Sequence, residues 1–228
     1  MSLRRIFPFS QDDIQSRVSL DSTETFILGD DPICLNSLAL QLAVTSAEAG
    51  EYVAIVGCSA IETVFHVHGM PAFSEDMVDF IRPRFMGDLK SLFNYLTKFQ
   101  QLPVHPNVLI LHGLEAYIQE TSEAGFIPSQ EENGDQTIAR LFALVQDAAN
   151  FATSKNHQTC HLLVTCCDAA SKGHVCPSYV SLPFFPLPWR CSKLEDGRFT
   201  LQLDGRLPTT VLFGLSKREL CLQRVDCC

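Results

Sequence analysis

Residues 25–37 read TFILGDDPICLNS, and this stretch decides the fold class. The apolar run at 25–28 is typical of a short buried strand, which Gly29 ends. Residues 37–49 are rich in alanine and leucine and predict a helix. A second apolar run at 52–58 follows at once, as expected of a parallel strand buried on both faces. The stretch therefore begins an alternation of strands and helices.

The alternation continues along the chain. Asp88 and Asp135 are typical helix N-caps, and each precedes apolar residues at helical spacing. Apolar runs at 108–111 and 161–166 predict two more strands, and residues 119–134 predict an acidic surface loop. Right-handed crossovers between such strands give a parallel sheet covered by helices on both faces. The predicted class is therefore α/β.

The C-terminal part has a different pattern. Its β-rich runs are separated by short turns, which indicates antiparallel hairpins at the end of the sheet. These runs lie at residues 189–194, 199–203, 209–215 and 219–225. Residues 59–87 show no clear period, although 80–85 could form a short extended piece. We expect a flexible N-terminal arm at 1–23 and a single core domain at 24–228.

Composition excludes several classes of protein. Hydrophobic residues make up 46% of the 228 residues and charged residues 19%, which favours a folded core over disorder. The formal net charge of −9 disfavours nucleic-acid binding except through a local basic strip. The ten cysteines are scattered, many of them in apolar runs, and are expected to be reduced. We expect neither a membrane span nor a signal peptide.

The residues after Gly29 partly match a phosphate-binding P-loop. That motif, G-x-x-x-x-G-K-[ST] between a strand and a helix, uses its lysine to neutralise phosphate and its hydroxyl to hold Mg²⁺. Strict spacing places Cys34 at the second glycine, Leu35 at the lysine and Asn36 at the hydroxyl. A shift by one residue brings Ser37 to the hydroxyl position but leaves Asn36 at the lysine. Neither register supplies a cation, so the nucleotide site is predicted to be vestigial.

The strand at 108–111 should end in an acidic residue that positions nucleotide-bound magnesium. It ends in His112 instead, and a neutral imidazole is a poor magnesium ligand. Glu115 lies about one helical turn further along and could partly substitute. An alternative interpretation is therefore a weak ATPase, stimulated by single-stranded DNA, that uses Ser37 and Glu115.

Three segments carry a family resemblance. They are residues 108–117, VLILHGLEAY; residues 81–85 with the helix around 92–96; and the helix at 138–151. Together they resemble the RecA-type recombinase paralogue of the metazoan Shu complex, which associates with a SWIM-domain protein. The resemblance covers roughly residues 25–170. It implies a RecA-like P-loop ATPase core.

The resemblance also implies a function. It implies a nuclear protein that pairs with a SWIM-domain zinc protein, contacts the strand-exchange recombinase and supports its filament on single-stranded DNA during homologous recombination. Typical members have an intact P-loop and an acidic residue at the end of the later strand. This chain departs from them at Leu35 or Asn36 and at His112. We therefore predict a non-hydrolysing subunit with no ATP or magnesium cofactor, and an α/β protein outside recombination stays open.

Two apolar segments are candidates for partner binding. Phe7 and Phe9 in the N-terminal arm could add to a partner's sheet edge, or the arm could be a loose tail. Phe184 and Phe185 lie in the unusually apolar connection at 182–189, which marks either an interface or a segment packed under the sheet.

A basic and aromatic strip is a candidate for single-stranded DNA binding. Arg82, Arg84 and Lys90 lie close in sequence to aromatic residues that could stack on bases. The alternative is that the lysine lies on the solvated face of a helix with an aromatic core side. A zinc site is not expected at His66 and His68 with Cys58, because neighbouring strand residues point to opposite faces.

Overall fold

The computed structural model describes residues 3–9, 22–123, 134–168, 176, 178–203 and 209–227. Within these ranges the chain forms one ten-stranded sheet. Its strands are β1 (Glu24–Gly29), β2 (Val53–Gly57), β3 (His66–Val67), β4 (Ile81–Phe85), β5 (Val108–His112), β6 (His161–Cys167), β7 (Trp189–Lys193), β8 (Arg198–Leu203), β9 (Thr209–Ser216) and β10 (Glu219–Cys227).

The strand order along the sheet is β3-β10-β9-β8-β7-β1-β6-β5-β2-β4. From β7 through β1, β6, β5 and β2 to β4, neighbouring strands are parallel. Strands β7 to β10 form successive antiparallel pairs, and β3 adds to β10 in parallel at the far edge. The predicted mainly parallel sheet with C-terminal antiparallel hairpins is confirmed.

Helices cover both faces of the parallel strands. They are α1 (Pro32–Glu48), α2 (Leu89–Thr97), α3 (Leu114–Glu123), α4 (Gly134–Asn156) and α5 (Ser178–Ser181). Helix α1 packs on one face, and the other four pack on the opposite face. Among the described helices, none combines the length and apolar character that a membrane crossing requires.

Alternation along β1 shows why both layers form. Phe26 and Leu28 pack into the core below α2–α5, whereas Ile27 packs into the core below α1. Successive side chains of a strand point to opposite faces, so a strand that is apolar throughout needs cover on both sides. The same division holds along β5 and β6.

Helix α1 begins earlier than its alanine-rich stretch predicts. The helix starts at Pro32, five residues before Ser37, because the Asp31 side chain caps it and proline fits the first helical position. Helix α3 was not predicted, and its last residues, 119–123, lie where the sequence predicts the start of the acidic loop. Residues 124–133 of that loop lie outside the described residues, and Gly134 begins α4.

The structure corrects the prediction of a mobile arm for residues 3–9. A 3₁₀ turn at Leu3–Arg5 brings Ile6 and Phe7 into the core below α1, and both side chains are fully buried. The Phe7 ring lies 5.0 Å from that of Phe213 on β9. The Arg5 guanidinium donates to Glu51 Oε1 at 2.8 Å, and this bond ties the segment to the chain just before β2. Residues 10–21 lie outside the described residues.

The connection before β7 packs under the sheet. Phe185 is buried, with its ring centroid 5.4 Å from that of Phe26 and 5.3 Å from that of Phe142. Phe184 is half-buried against Phe142. Phe9 is also half-buried, beside Phe7. In this conformation the rings of Phe7 and Phe185 lie in the core, as the alternative of a connection packed under the sheet predicts for Phe185, and a role of either residue in partner binding stays a prediction.

Candidate functional site

The candidate site lies where the parallel strands β1, β5 and β6 end. In an open α/β sheet, ligands bind in the crevice outside the carboxyl ends of the strands. Strand β1 ends at Gly29, β5 ends at His112, and Asp168 directly follows β6. The residues predicted from the P-loop pattern therefore lie in the expected part of the fold.

Gly29 is required by close packing. A Cβ atom at this position would lie 3.0 Å from the Cys191 carbonyl oxygen and 3.0 Å from Leu35 Cδ2. Both contacts are tighter than a side-chain carbon tolerates without movement of its neighbours. The glycine therefore lets β7 and α1 approach β1 closely.

Only Asp30 and Asp31 connect β1 to α1. The Asp31 carboxylate accepts the Cys34 N–H at 2.9 Å and thus caps the helix. Asp31 also pairs with the Lys193 ammonium of β7, 3.2 Å away. The N-terminus of a helix attracts anions, and here a carboxylate of the chain itself takes that position.

Asp30 binds the backbone of β7 on the same side of the crevice. Its two carboxylate oxygens accept the backbone N–H of Lys193 at 3.0 and 3.1 Å. The Lys193 ammonium also lies 5.7 Å from the centre of the Phe199 ring. Lys193 therefore joins β7 to the β1–α1 connection and holds both aspartates in place.

The residues at the lysine and second-glycine positions face the core. Leu35 is 2% exposed, and Cys34 is fully buried. The Cys34 and Cys191 sulfur atoms lie 3.4 Å apart. That hydrogen bond and then burial raise the pKa of Cys34 well above its usual value, so the thiol stays neutral. Asn36, by contrast, is partly exposed.

Ser37 is buried, and its hydroxyl group makes two hydrogen bonds within the protein. Its Oγ donates to the Ile33 carbonyl at 2.6 Å and accepts the Phe65 N–H at 2.8 Å. The hydroxyl therefore anchors the segment after β2 to helix α1. A magnesium ion at this position would have to share the oxygen with the Phe65 N–H.

His112 ends β5 beside β6. Its Nδ1 lies 3.2 Å from Thr165 Oγ1, in a hydrogen bond. Burial lowers the pKa of His112, which favours the neutral imidazole. The following Gly113 has a φ of 72°, and this left-handed turn directs the chain from β5 into α3.

Glu115 lies in the first turn of α3, and its carboxylate accepts the Cys167 N–H at 2.8 Å. Burial raises the pKa of Glu115, and the hydrogen bond from Cys167 only partly opposes this effect. Beside it, Asp168 forms an ion pair with Arg190 at 3.1 Å. The crevice is thus acidic, and two basic residues of β7, Arg190 and Lys193, pair with its carboxylates.

Two of the predicted DNA-binding residues share a groove. Arg82 and Arg84 lie on β4, at an edge of the sheet, and line a groove of about 480 Å³ together with Tyr52 and Tyr95. Burial raises the pKa of Tyr95 to about 12, and the charge of Arg84 partly opposes this shift, which reflects its proximity. Lys90 is exposed on α2 and does not line this groove.

The opposite face of β4 carries an apolar groove of about 300 Å³. Its exposed lining side chains include Phe73, Val78 and Phe85, which are 56%, 50% and 52% exposed. Sequence reasoning missed this groove, because residues 59–80 have little regular structure and only the folded chain brings them beside β4. Alternate residues of β4 divide between the two grooves, arginines on one face and apolar residues on the other.

Comparison with known proteins establishes the fold. No family of known proteins matches the sequence, and no curated protein sequence matches it. The fold is similar to that in the crystal structure of the RadB recombinase, at 12% sequence identity and a TM-score of 0.58. The match covers 88% of this chain and 90% of the RadB chain. The chain therefore has the RecA-like core fold that the resemblance implied.

Proposed function

We propose that this protein is a non-hydrolysing, RecA-like subunit of a nuclear Shu-type complex. In this proposal it binds a SWIM-domain zinc protein and, with it, supports the strand-exchange recombinase filament on single-stranded DNA during homologous recombination. The RecA-like fold supports a role in recombination. The lack of a P-loop lysine and the carboxylates beside Gly29 support a role without ATP or magnesium.

One observation carries the non-hydrolysing part of the proposal. The Asp31 carboxylate caps α1 where the P-loop geometry would seat a phosphate, and Leu35 is buried where the motif has its lysine. A triphosphate would have to displace a carboxylate that is paired with Lys193. Phosphoryl transfer depends chiefly on positioned positive charge, and this chain has no cation at the P-loop lysine position and two aspartates directly after Gly29.

Nucleotide binding by the purified complex tests this part. We expect a fluorescent ATP analogue to show no magnesium-dependent binding in the micromolar range, and ATP to be hydrolysed no faster than in buffer. An intact RecA-type ATPase under the same conditions is the positive control. Magnesium-dependent micromolar binding that disappears in both Ser37→Ala and Glu115→Gln would support the weak ATPase instead.

The apolar groove beside β4 is the surface that we assign to the SWIM-domain partner. Exposed aromatic side chains in a concave patch are typical of interfaces, and an edge strand can accept a further strand. Exposed acidic residues border the patch in sequence, at Glu62, Glu75 and Asp76. We therefore expect the partner segment to carry apolar anchors flanked by lysine or arginine.

Co-purification with the SWIM-domain protein tests this surface. Phe73→Asp with Phe85→Asp should abolish capture of the partner, because each places a charge in a buried apolar contact. The matched control is Leu187→Asp with Leu215→Asp, since those side chains are 55% and 45% exposed but do not line this groove. If the Phe73 and Phe85 variant still captures the partner, the interface lies elsewhere. If the wild-type chain captures no SWIM-domain protein, the proposed function itself fails.

A further inference from the structure

Three different metal-binding side chains meet where β3 lies beside β10. They are His68, Glu219 and Cys221, and their ligand atoms all lie within 4.8 Å of one another. His68 Nδ1 is 2.9 Å from Glu219 Oε2. The cluster lies outside the nucleotide crevice, and no step of the proposed function uses it.

The sheet register explains how the cluster forms. In the parallel pair, His66 lies opposite Glu219 and Val67 opposite Leu220, and the His68 N–H donates to the Leu220 carbonyl at 2.9 Å. Glu219 and Cys221 are two residues apart on β10, so they project from the same face. Leu220 between them is fully buried. The strand thus directs its apolar side chain inward and its two ligand side chains outward, next to His68.

From this geometry we propose that His68, Glu219 and Cys221 form a binding site for a zinc ion. Imidazole nitrogen, carboxylate oxygen and thiolate sulfur are all zinc ligands, whereas magnesium and calcium prefer oxygen alone. Three protein ligands leave the fourth tetrahedral position to water or to a donor from another molecule. The His68 and Glu219 side chains are 68% and 41% exposed, so an ion can reach them from solvent.

The sequence argues against a zinc site made by His66, His68 and Cys58, and strand pairing gives His68 a different set of neighbours. His66 and His68 have Val67 between them, and Cys58 belongs to another region, where its sulfur donates to the Gly87 carbonyl at 3.6 Å. The partners of His68 are instead found 151 and 153 residues further along the chain. Zinc at this position would join the two-residue strand β3 to β10, and with it the segment that forms the apolar groove.

Cobalt substitution in the full-length chain provides the test. The protein is stripped of metal with a chelator under a phosphine reductant and then titrated with Co²⁺. We expect one equivalent to produce a thiolate-to-cobalt charge-transfer band with the visible bands of a four-coordinate ion, and Zn²⁺ to displace it. We also expect Zn²⁺ to raise the midpoint of thermal unfolding, because it binds the folded arrangement.

Matched variants assign the ligands. Cys221→Ser should remove the charge-transfer band and the thermal shift. His68→Ala should weaken Zn²⁺ binding by at least about ten-fold, since even residues that only orient a zinc ligand have effects of that size. The controls Cys58→Ser and His66→Ala should keep both signals. A band that persists in Cys221→Ser would place the cobalt on other thiols and overturn the proposal. Absence of stoichiometric binding by the wild-type chain would also overturn the proposal and leave His68 and Glu219 as a hydrogen-bonded pair.

Discussion

At the scale of single residues, several side chains beside the carboxyl end of β1 make contacts within the protein itself. Gly29 makes room for β7 and α1, Asp31 caps the helix, and Ser37 holds the segment after β2. Gly29 and Ser37, at predicted nucleotide-binding positions, and the neighbouring Asp31 thus have structural roles. Such roles can be tested through stability, independently of any ligand.

Replacing Asp31 separates its two roles. Asp31→Ala should lower the free energy of unfolding by about 1 kcal/mol, because α1 loses its cap. Asp31→Asn should cost much less, since asparagine also caps helices and only the exposed pair with Lys193 is removed. Urea unfolding of the full-length variants measures both values. Equal effects in the two variants would show that the charge, and not the cap, matters.

Replacing Gly29 and Gly87 by alanine compares a crowded glycine with one in open space. Gly29→Ala should cost about 1–3 kcal/mol of stability, because its Cβ atom would collide with the Cys191 backbone and with Leu35. The Cβ atom of Gly87→Ala would have nothing within 4 Å, so this variant should change stability by less than about 0.5 kcal/mol. Denaturant midpoints for both variants make the comparison. A neutral Gly29→Ala would mean that β7 can move away from β1.

Burial of Glu115 predicts a dependence of stability on pH. Since the pKa of folded Glu115 is raised above its value in the unfolded chain, the folded state binds more protons in the window between them. The stability contribution of this residue therefore falls as pH rises above about 4.5. Glu115→Gln removes the titration and keeps an oxygen for the Cys167 N–H. Urea unfolding from about pH 4 to about pH 7 should show the variant gaining stability relative to the wild type as pH increases. Parallel pH profiles would contradict this.

At the scale of elements, the sequence predicts the regular strands and helices well. Continuous apolar runs mark β1, β2, β5 and β6, and the aspartate before α2 marks its start. The start of α1 is missed because the cap and proline precede its alanine-rich stretch. The structure of residues 59–80 cannot be predicted from the local sequence, since their short strand β3 forms by pairing with β10, far along the chain. The contacts of Asp30 and Asp31 with Lys193 also link residues far apart in sequence and could not be predicted, whereas the absence of the P-loop lysine is visible directly in the sequence.

The N-terminal segment is the element whose interpretation changes most. Phe7→Ala should destabilise the full-length chain by about 3–5 kcal/mol, because it empties a fully buried site against Phe213. Phe9→Ala, at a half-buried position in the same segment, is the control and should cost clearly less. Thermal and urea unfolding measure the difference. If the two variants were equally mild, residues 3–9 would be a loosely attached arm after all.

At the scale of the whole molecule, charge limits what the chain can do alone. With a net charge of −9 and one groove that contains two arginines, the isolated chain should bind single-stranded DNA only weakly at physiological salt. In complex with its partner, Arg82→Glu with Arg84→Glu should weaken binding. The slope of log affinity against log salt concentration should become shallower by about 0.7 for each phosphate that the variant no longer neutralises. Lys90→Glu, outside the groove, should have less effect.

Fluorescence anisotropy over a salt series measures these affinities. Unchanged binding by the double-arginine variant of the complex would remove β4 from the DNA path. Submicromolar binding by the isolated chain at physiological salt would show that bulk repulsion does not control the interaction.

The position of β10 has a consequence for how the protein reaches this state. During translation, His66 and Val67 leave the ribosome about 150 residues before the strand that pairs with them. Phe7 is separated from its contact Phe213 by a still longer stretch of chain. The nascent chain can complete the core below α2 to α5 while the core below α1 still lacks the residues that β8, β9 and β10 contribute to it. Completion of that side therefore depends on the late synthesis of β9 and β10, and chaperones or an early-binding partner have time to act on it before then.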